Sequence, residues 1–258
     1  MKRFWNNFVK YRFLLSQLTE KDIKLKYRNS YLGIIWTLLE PLLTMIVLTL
    51  VFSRLLGKDT QDFPVYILTG RLIFAFYQNA TKQALRSVRS HAAMIKKVYV
   101  PKYMYPLSAV LSNYVTFLIS LVALVGVAVV RNVRPTLWLF QAFAPLLIIL
   151  GLALGSGLIL SAAAVFFRDL EYLWGVATMI IMYASAIFYR VEDVFSESNR
   201  WIFTLNPVYA CIDNFRSAVF GSPMNLNATI YSAAMAVGLT LIGCIFFYRN
   251  QDKFILHI

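Results

Sequence analysis

Charged residues are scarce in this sequence. Only 14% of its 258 residues are charged, whereas 59% are hydrophobic and the mean hydropathy is +0.64. Soluble domains carry about 25% charged residues, so the composition excludes an ordinary soluble protein. The apolar stretches are long and continuous. This favours membrane-spanning helices of about 20 residues over the short alternating segments of a membrane β-barrel.

Motifs that carry chemistry are also missing. The sequence has no Walker motif G-x-x-x-x-G-K-[ST], and therefore no P-loop with which to hold ATP. It has no H-E-x-x-H, C-x-x-C or D-x-D motif, and its histidines are His91 and His257. The two cysteines, Cys211 and Cys244, fit no metal-ligand or disulfide pattern. We therefore predict no catalytic residue, metal or cofactor on this chain. A membrane-embedded transferase acting on lipid-linked sugars stays open as the less favoured alternative.

Acidic residues are fewer than basic ones, 12 against 25, which gives a formal net charge of +13. The sequence shows no soluble basic domain that could bind nucleic acid. The distribution of the positive charge along the chain instead indicates how the chain is oriented in the membrane. The predicted spans cover 32–56, 63–88, 106–130, 137–166, 171–190 and 229–248. Seventeen lysines and arginines fall on one side of these spans and seven on the other. By the positive-inside rule, both termini are predicted to be cytoplasmic in a bacterial inner or plasma membrane.

Residues 1–30 are predicted to form a cytoplasmic segment that precedes the transmembrane domain, residues 31–258. An apolar stripe at helical spacing predicts an amphipathic interfacial helix in the lipid headgroup layer. The stripe consists of Phe4, Phe8, Tyr11, Leu15 and Leu18. Thr19 and Asp22 match a T-x-x-D capping pattern, which predicts a new helix start. A basic strip of Lys21, Lys24, Lys26 and Arg28 then leads into the first span.

Two connections between spans are too apolar to be plain loops. The cytoplasmic segment of about 91–106 combines basic residues with an apolar stripe and ends at Pro106. This pattern fits a short helix offered to a partner protein, or a loop bound to the membrane surface. The external segment of about 195–225 is interrupted by Pro207 and Gly221. A pair of short re-entrant helices fits its composition, because irregular backbone at membrane depth must be covered by protein or line a wet cavity.

Polar and aromatic residues inside the spans suggest where a path through the membrane lies. Arg71 lies within the second span and either faces such a path or extends its guanidinium to the surface. Aromatic residues make up 16% of the chain. Most aromatic residues in membrane proteins form interfacial belts or pack between helices, but some can stack on sugar rings.

Four segments, in order along nearly the whole chain, resemble one protein family. "KDIKLKYRNSYLGIIWTLLEPLL" resembles the amino-terminal signature of the permease subunits of ABC-type polysaccharide exporters, which export O-antigen, teichoic acid and related lipid-linked glycans. "IKKVYVPKYMYPLS" is similar to the coupling helix of that family, "FFRDLEYL" to its fourth-loop motif and "LNPVYACIDNFR" to its external re-entrant region. The chain departs from the family pattern at Arg71, commonly an apolar residue, and at Arg190, often a proline.

The resemblance implies a transport subunit with an all-α, six-helix membrane domain that works as a homodimer. Two nucleotide-binding ATPase subunits would hold ATP and Mg, and the cargo would be a lipid-linked polysaccharide. Another amphipathic cargo, a drug or a lipid, stays open. The implied substrate-headgroup residues are Lys24, Lys26, Tyr27 and Arg28, although ordinary anchoring by positive charge is the alternative. The implied translocation path contains Trp36, Arg71, Phe74, Phe76 and Tyr77. The implied ATPase-coupling residues are Lys96, Lys97, Tyr99, Pro101 and Lys102.

Overall fold

The computed structural model describes residues 2–28, 30–56, 62–97, 100–195 and 201–257, and the regular elements in these ranges are all helices. They are α1 (Lys2–Tyr27), α2 (Trp36–Leu56), α3 (Phe63–Ser90), α4 (Ala92–Lys97), α5 (Met104–Val130), α6 (Phe143–Phe166), α7 (Leu170–Tyr183), α8 (Val191–Val194), α9 (Trp201–Thr204), α10 (Pro207–Phe220), α11 (Leu226–Asn250) and α12 (Phe254–His257). Short 3-10 turns precede α2 and α6 at Gly33–Ile35 and Leu137–Ala142, and a third joins α11 to α12 at Gln251–Lys253.

Within the described ranges, four helical stretches are long and apolar enough to cross a membrane. They are Gly33–Ser53, Met104–Val130, Leu137–Phe166 and Leu226–Leu256. They coincide with four of the six predicted spans and confirm an all-helical membrane protein. The other two predicted spans correspond to α3, which is 28 residues long but carries many polar side chains, and to α7, a shorter apolar helix of 14 residues.

The α6–α11 pair forms the most extensive helix contact of the fold. The two backbones approach so closely that a Cβ on Gly155 would lie 2.5 Å from the carbonyl carbon of Leu239. A Cβ on Gly243 would lie 2.7 Å from the carbonyl oxygen of Gly155. Small residues permit such contact between membrane helices, where packing replaces the hydrophobic effect as the main attraction. The Thr240 hydroxyl donates across the contact to the Gly151 carbonyl at 3.1 Å.

Helix α3 is the centre of the bundle. It packs most extensively against α5 and α6, which also contact each other. Helix α2 contacts α3 and α5, whereas α7 contacts α3 and α6. The neighbours therefore follow one another around α3 in the order α2, α5, α6 and α7. One face of α3 is left between the two outer members of this series, α7 and α2.

Helix α1 packs at the end of the bundle where α4, the start of α5 and α12 lie. Leu15 and Leu18 are buried in a cluster with Ile95, Met104 and Phe254. The predicted helix start at Thr19 is wrong, because α1 is continuous and the Thr19 hydroxyl donates to the Leu15 carbonyl at 2.8 Å within it. The side chains of Phe4 and Phe8 lie outside the described part of the chain.

The fifth predicted span, 171–190, is helical only as far as Tyr183. The chain then unwinds through residues 184–190, and Ala186 takes the left-handed backbone conformation with φ of 45°. Beyond α8 and α9, the Asn206 side chain accepts from the Val208 amide at 3.0 Å and caps α10. The described part of this segment thus contains the two short helices α9 and α10.

Candidate functional site

Polar side chains run along the face of α3 that lies between α7 and α2. Arg71, Gln78, Lys82 and Arg86, together with the small apolar Ala75, recur every three or four residues, and each is partly or fully exposed. Helix α3 is about 42 Å long at 1.5 Å per residue, so Gln78 lies near its midpoint. The exposed Asn79 widens the row beside Gln78. We call these six residues the α3 polar row.

The aromatic residues predicted to line a path lie on the other side of α3. Phe74 is fully buried, Phe76 stacks on Phe117 with ring centroids 5.2 Å apart, and the Tyr77 hydroxyl lies 3.1 Å from the Ser156 hydroxyl. These three side chains pack inside one copy of the chain. The sequence prediction therefore included Arg71 of the polar row but not Gln78 or Asn79, although the helical spacing of the row is visible in the sequence.

Helices α2 and α7 form the walls of a groove whose floor is the α3 polar row. In the most apolar window of Gly33–Ser53, only 11% of the residues are buried. Of the 14 residues of α7, all of them described, Thr178 alone is buried. Both helices carry exposed apolar side chains: Leu43, Val47 and Leu50 on α2, and Val176, Met179 and Ile180 on α7. The walls are thus apolar and the floor is polar.

The groove is closed at the end where α3 begins by two stacked aromatic rings. Phe52, near the end of α2, lies parallel to Phe188 of the unwound segment, with centroids 5.0 Å apart and an interplanar angle of 5°. Both side chains also pack against the main apolar core. This pair joins the two walls above Arg71, on the side where α3 begins.

At the opposite end of the groove, towards the end of α3, polar contacts attach α7 to α3. Arg86 forms an ion pair with Glu171, its Nε donating to Oε1 at 2.8 Å, and the Arg89 guanidinium donates to the other carboxylate oxygen at 3.3 Å. One helical turn further, the Trp174 indole donates to the Thr81 hydroxyl at 3.0 Å. The "FFRDLEYL" segment therefore secures the start of α7.

The Glu40 carboxylate links the groove electrostatically to the amino-terminal segment. It is exposed on α2, and its charge acts on Arg71, Lys26 and Tyr27. Trp36, at the start of the same helix, is 39% exposed. Arg71 and Trp36 are therefore the two predicted path residues that the described structure leaves accessible.

The predicted headgroup residues lie at the end of α1 and are not equivalent. Lys24 pairs with Glu20 at 2.6 Å, one turn earlier on the same helix. Lys26 and Arg28 are exposed, and the Lys26 ammonium lies 5.6 Å from the Tyr27 ring centroid. A shallow groove on this helix is lined by Gln17, Glu20, Lys21, Lys24, Leu25 and Arg28.

The predicted coupling segment folds into α4 and a short turn before α5. On α4, the side chain of Ile95 is buried, whereas those of Lys96 and Lys97 are exposed. Lys102 instead points back into the protein, where its ammonium donates to the Gln251 carbonyl at 2.5 Å. Burial lowers the pKa of Lys102, and the nearby Asp252 charge offsets part of this effect. Pro101 is partly exposed, and Tyr99 lies outside the described residues.

Helices α1 and α5 meet the start of α4 at Asp22 and His91. Burial raises the pKa of Asp22, while the Coulombic interaction with His91 and a hydrogen bond from Ser108, 3.4 Å long, offset part of the shift. The His91 ring stacks on Tyr105 with centroids 4.7 Å apart. These contacts join the start of α4 to α1 and α5. Across the described ranges, no group of three or more His, Cys, Asp or Glu side chains could hold a metal ion.

These features define a class: an all-helical membrane protein whose central helix presents polar side chains along a groove, an arrangement typical of polar pathways through membranes. The family profile described as ABC-2 type transporter matches residues 14–220, most of the chain. The chain belongs to the ABC-2 type transporter family.

Curated relatives extend the similarity to nearly the whole chain. The O-antigen export system permease protein RfbA of Klebsiella pneumoniae is 28% identical over 244 residues, covering 93% of each chain. RfbA of Myxococcus xanthus is 27% identical over 257 residues and 98% of each chain. The capsule polysaccharide export inner-membrane protein CtrC of Neisseria meningitidis serogroup B is 23% identical over 85% of this chain and 83% of its own. These names confirm the family resemblance seen in the sequence.

Proposed function

We propose that this chain is the permease subunit of an ATP-driven exporter that moves lipid-linked polysaccharide across the bacterial inner membrane. The family membership and the names of its relatives support this function. The observation that carries it is the α3 polar row, because Gln78 and Asn79 are accessible halfway along a helix in an otherwise apolar chain. A polar side chain at membrane depth needs protein or water around it rather than lipid.

A second copy of the chain supplies that cover in our proposal. Two copies facing each other with their polar rows would enclose a wet passage, and the exposed apolar walls on α2 and α7 would meet across it. Six helices then cross the membrane in each copy, with α3 lining the passage and α7 completed by residues 184–190. Both termini lie in the cytoplasm. Hydroxyl-rich sugar chains suit a polar floor with apolar walls, because their rings have both polar edges and apolar faces.

The energy for transport comes from two ATPase subunits that bind ATP and Mg on the cytoplasmic side. The exposed Lys96 and Lys97 of α4 are placed to contact them, and Asp22 and His91 connect α4 to the bundle. Such a partner drives movement only if its ATP-bound and ADP-bound states favour different arrangements of the permease. Helix α1 lies at the headgroup layer, where Lys26 and Arg28 attract the diphosphate of the substrate. Each such charge near an anionic surface contributes about 1 kcal/mol.

Reconstitution tests this function directly. The chain is co-purified with the cognate ATPase and placed in lipid, and ATP hydrolysis is measured with and without undecaprenyl-diphosphate-linked glycans. We expect a glycan of the correct type to stimulate hydrolysis. Stimulation by simple lipids or drugs but by no glycan would mean that the exporter moves a cargo other than polysaccharide. Sugar transfer by the purified chain alone would replace the proposal with an enzyme.

A bulky residue on the polar row tests its role in the path. Ala75→Trp places an indole on the groove floor, whereas Val125→Trp places one on the outward face of α5, where Val125 is 62% exposed. We expect Ala75→Trp to abolish glycan export while the complex still assembles and hydrolyses ATP. Val125→Trp should export normally. Equal export by the two variants would contradict the assignment of the path.

A further inference from the structure

The unwound segment 184–190 is held by side chains from three other parts of the chain. The Asn206 amide donates to the Ala184 carbonyl at 3.0 Å. The Arg216 guanidinium donates to the carbonyls of Ala186 and Ile187 at 3.1 and 3.2 Å. The Tyr66 hydroxyl donates to the Tyr189 carbonyl at 2.8 Å. Unwinding frees backbone carbonyls, and at membrane depth these must be satisfied within the protein.

Arg216 is the centre of this arrangement. Its side chain is only 4% exposed and its guanidinium lies over the Tyr66 ring, 3.5 Å from the centroid. Besides the two carbonyls of the unwound segment, it donates through Nε and Nη2 to the Tyr66 carbonyl at 3.3 and 3.2 Å. The planar guanidinium of Arg216 therefore connects α10 both to the start of α3 and to the unwound segment. Lysine, a point charge on a flexible stem, cannot reproduce this geometry.

Gly70 leaves the space that the guanidinium occupies. A Cβ at this position would lie 2.6 Å from Nη2 of Arg216. The same absent side chain allows Ile187 to pack against α3, since its Cγ2 would lie 3.4 Å from that Cβ. The close approach of α3 to the unwound segment thus depends on a glycine one turn from Tyr66.

We propose that Arg216, supported by Tyr66 and Gly70, is a positioning residue that holds segment 184–190 against α3 and so keeps Phe188 stacked on Phe52. The held segment forms the closed outer end of the groove. It must leave this position for cargo to pass, since the stacked rings join the two walls. The closing role rests on the proposed export function, whereas the clamp itself does not.

Thiol accessibility tests the clamp without any transport. Ile187→Cys is introduced into a background with Cys211→Ser and Cys244→Ser, and labelling by a membrane-impermeant maleimide is followed from the outer side. Gly70→Ala displaces the Arg216 fork, whereas Gly175→Ala is the matched control because nothing lies within 4 Å of its new methyl group. We expect labelling of the Ile187→Cys thiol to rise roughly tenfold in Gly70→Ala, because the free energy needed to open segment 184–190 locally becomes smaller. It should stay unchanged in Gly175→Ala.

Two further variants separate local release from unfolding. The Ile149→Cys thiol on α6, fully buried, should stay protected in Gly70→Ala and in Arg216→Lys. Arg190→Gln removes a second cation near the Tyr66 ring, 5.5 Å from its centroid, and should leave the Ile187→Cys thiol protected. Equal labelling of the Ile187→Cys thiol in Gly70→Ala and Gly175→Ala would overturn the clamp. Loss of export with a protected Ile187→Cys thiol would retain the clamp and remove its closing role.

Discussion

The α6–α11 contact and the α7–α3 contact join their helices in opposite ways. Helices α6 and α11 touch through their backbones at Gly155 and Gly243, and half of the most apolar window of Leu137–Phe166 is buried. Helix α7, all of it described, buries only Thr178. Polar contacts attach its first turns to α3, and Trp174, Ile181 and Met182 pack against the core while staying partly exposed. Close packing leaves few alternative arrangements, whereas a helix that buries so little can shift more easily. We infer that α6 and α11 form the fixed scaffold and α7 the movable wall.

The largest expected effect comes from breaking the scaffold. Gly155→Leu would force a branched side chain into the backbone of α11, and overpacking of this kind costs about 3 kcal/mol at the upper end of measured values. We expect a lowered Tm in detergent and a loss of folded protein. Gly126→Leu on α5 is the control, because nothing lies within 4 Å of the point where its Cβ would stand. Comparable losses in the two variants would mean that the close approach is not what stabilises the fold.

The scaffold was predictable from the sequence, whereas the movable wall was predicted only in part, as a span over 171–190 that is helical as far as Tyr183. Long apolar runs marked α5, α6 and α11 because each must cross the bilayer, and their bounds came close to those observed. Composition does not state which face of a helix turns inward, so Phe74, Phe76 and Tyr77 were assigned to the path although they pack inside the protomer. The spacing of Gln78, Lys82 and Arg86 was the available signal.

The unwound segment could not be found from local pattern. Residues 184–190 read "ASAIFYR", an apolar run with neither proline nor glycine to end a helix. The carbonyls of the residues that follow α7 are instead bound by Arg216 and Tyr66, which are distant in sequence. Likewise, Thr19 and Asp22 matched a capping pattern, but tertiary packing of Leu15 and Leu18 keeps α1 continuous through that point.

A smaller effect is expected at the inner attachment of the movable wall. Glu171→Gln removes the ion pairs with Arg86 and Arg89 but keeps the size of the side chain. Half-exposed ion pairs contribute about 0.2–1 kcal/mol, so the Tm should change little while export falls severalfold as α7 loses its inner attachment. Raising the salt concentration should weaken export by the unmodified chain and leave Glu171→Gln less affected. A salt response of equal size in the two proteins would argue against the attachment.

The most direct test of the movable wall is a cross-link between its outer end and α2. Phe52→Cys and Phe188→Cys are combined in the background with Cys211→Ser and Cys244→Ser, and a short bifunctional thiol reagent joins two side chains whose rings stack 5.0 Å apart. Export is then measured in the reconstituted complex with the cognate ATPase, and each single variant treated in the same way is the control. The account predicts that the cross-link stops glycan export, that the complex stays assembled, and that a cleavable linker restores export when it is cut. Undiminished export by the fully cross-linked protein would show that the outer end of the groove does not open for the cargo.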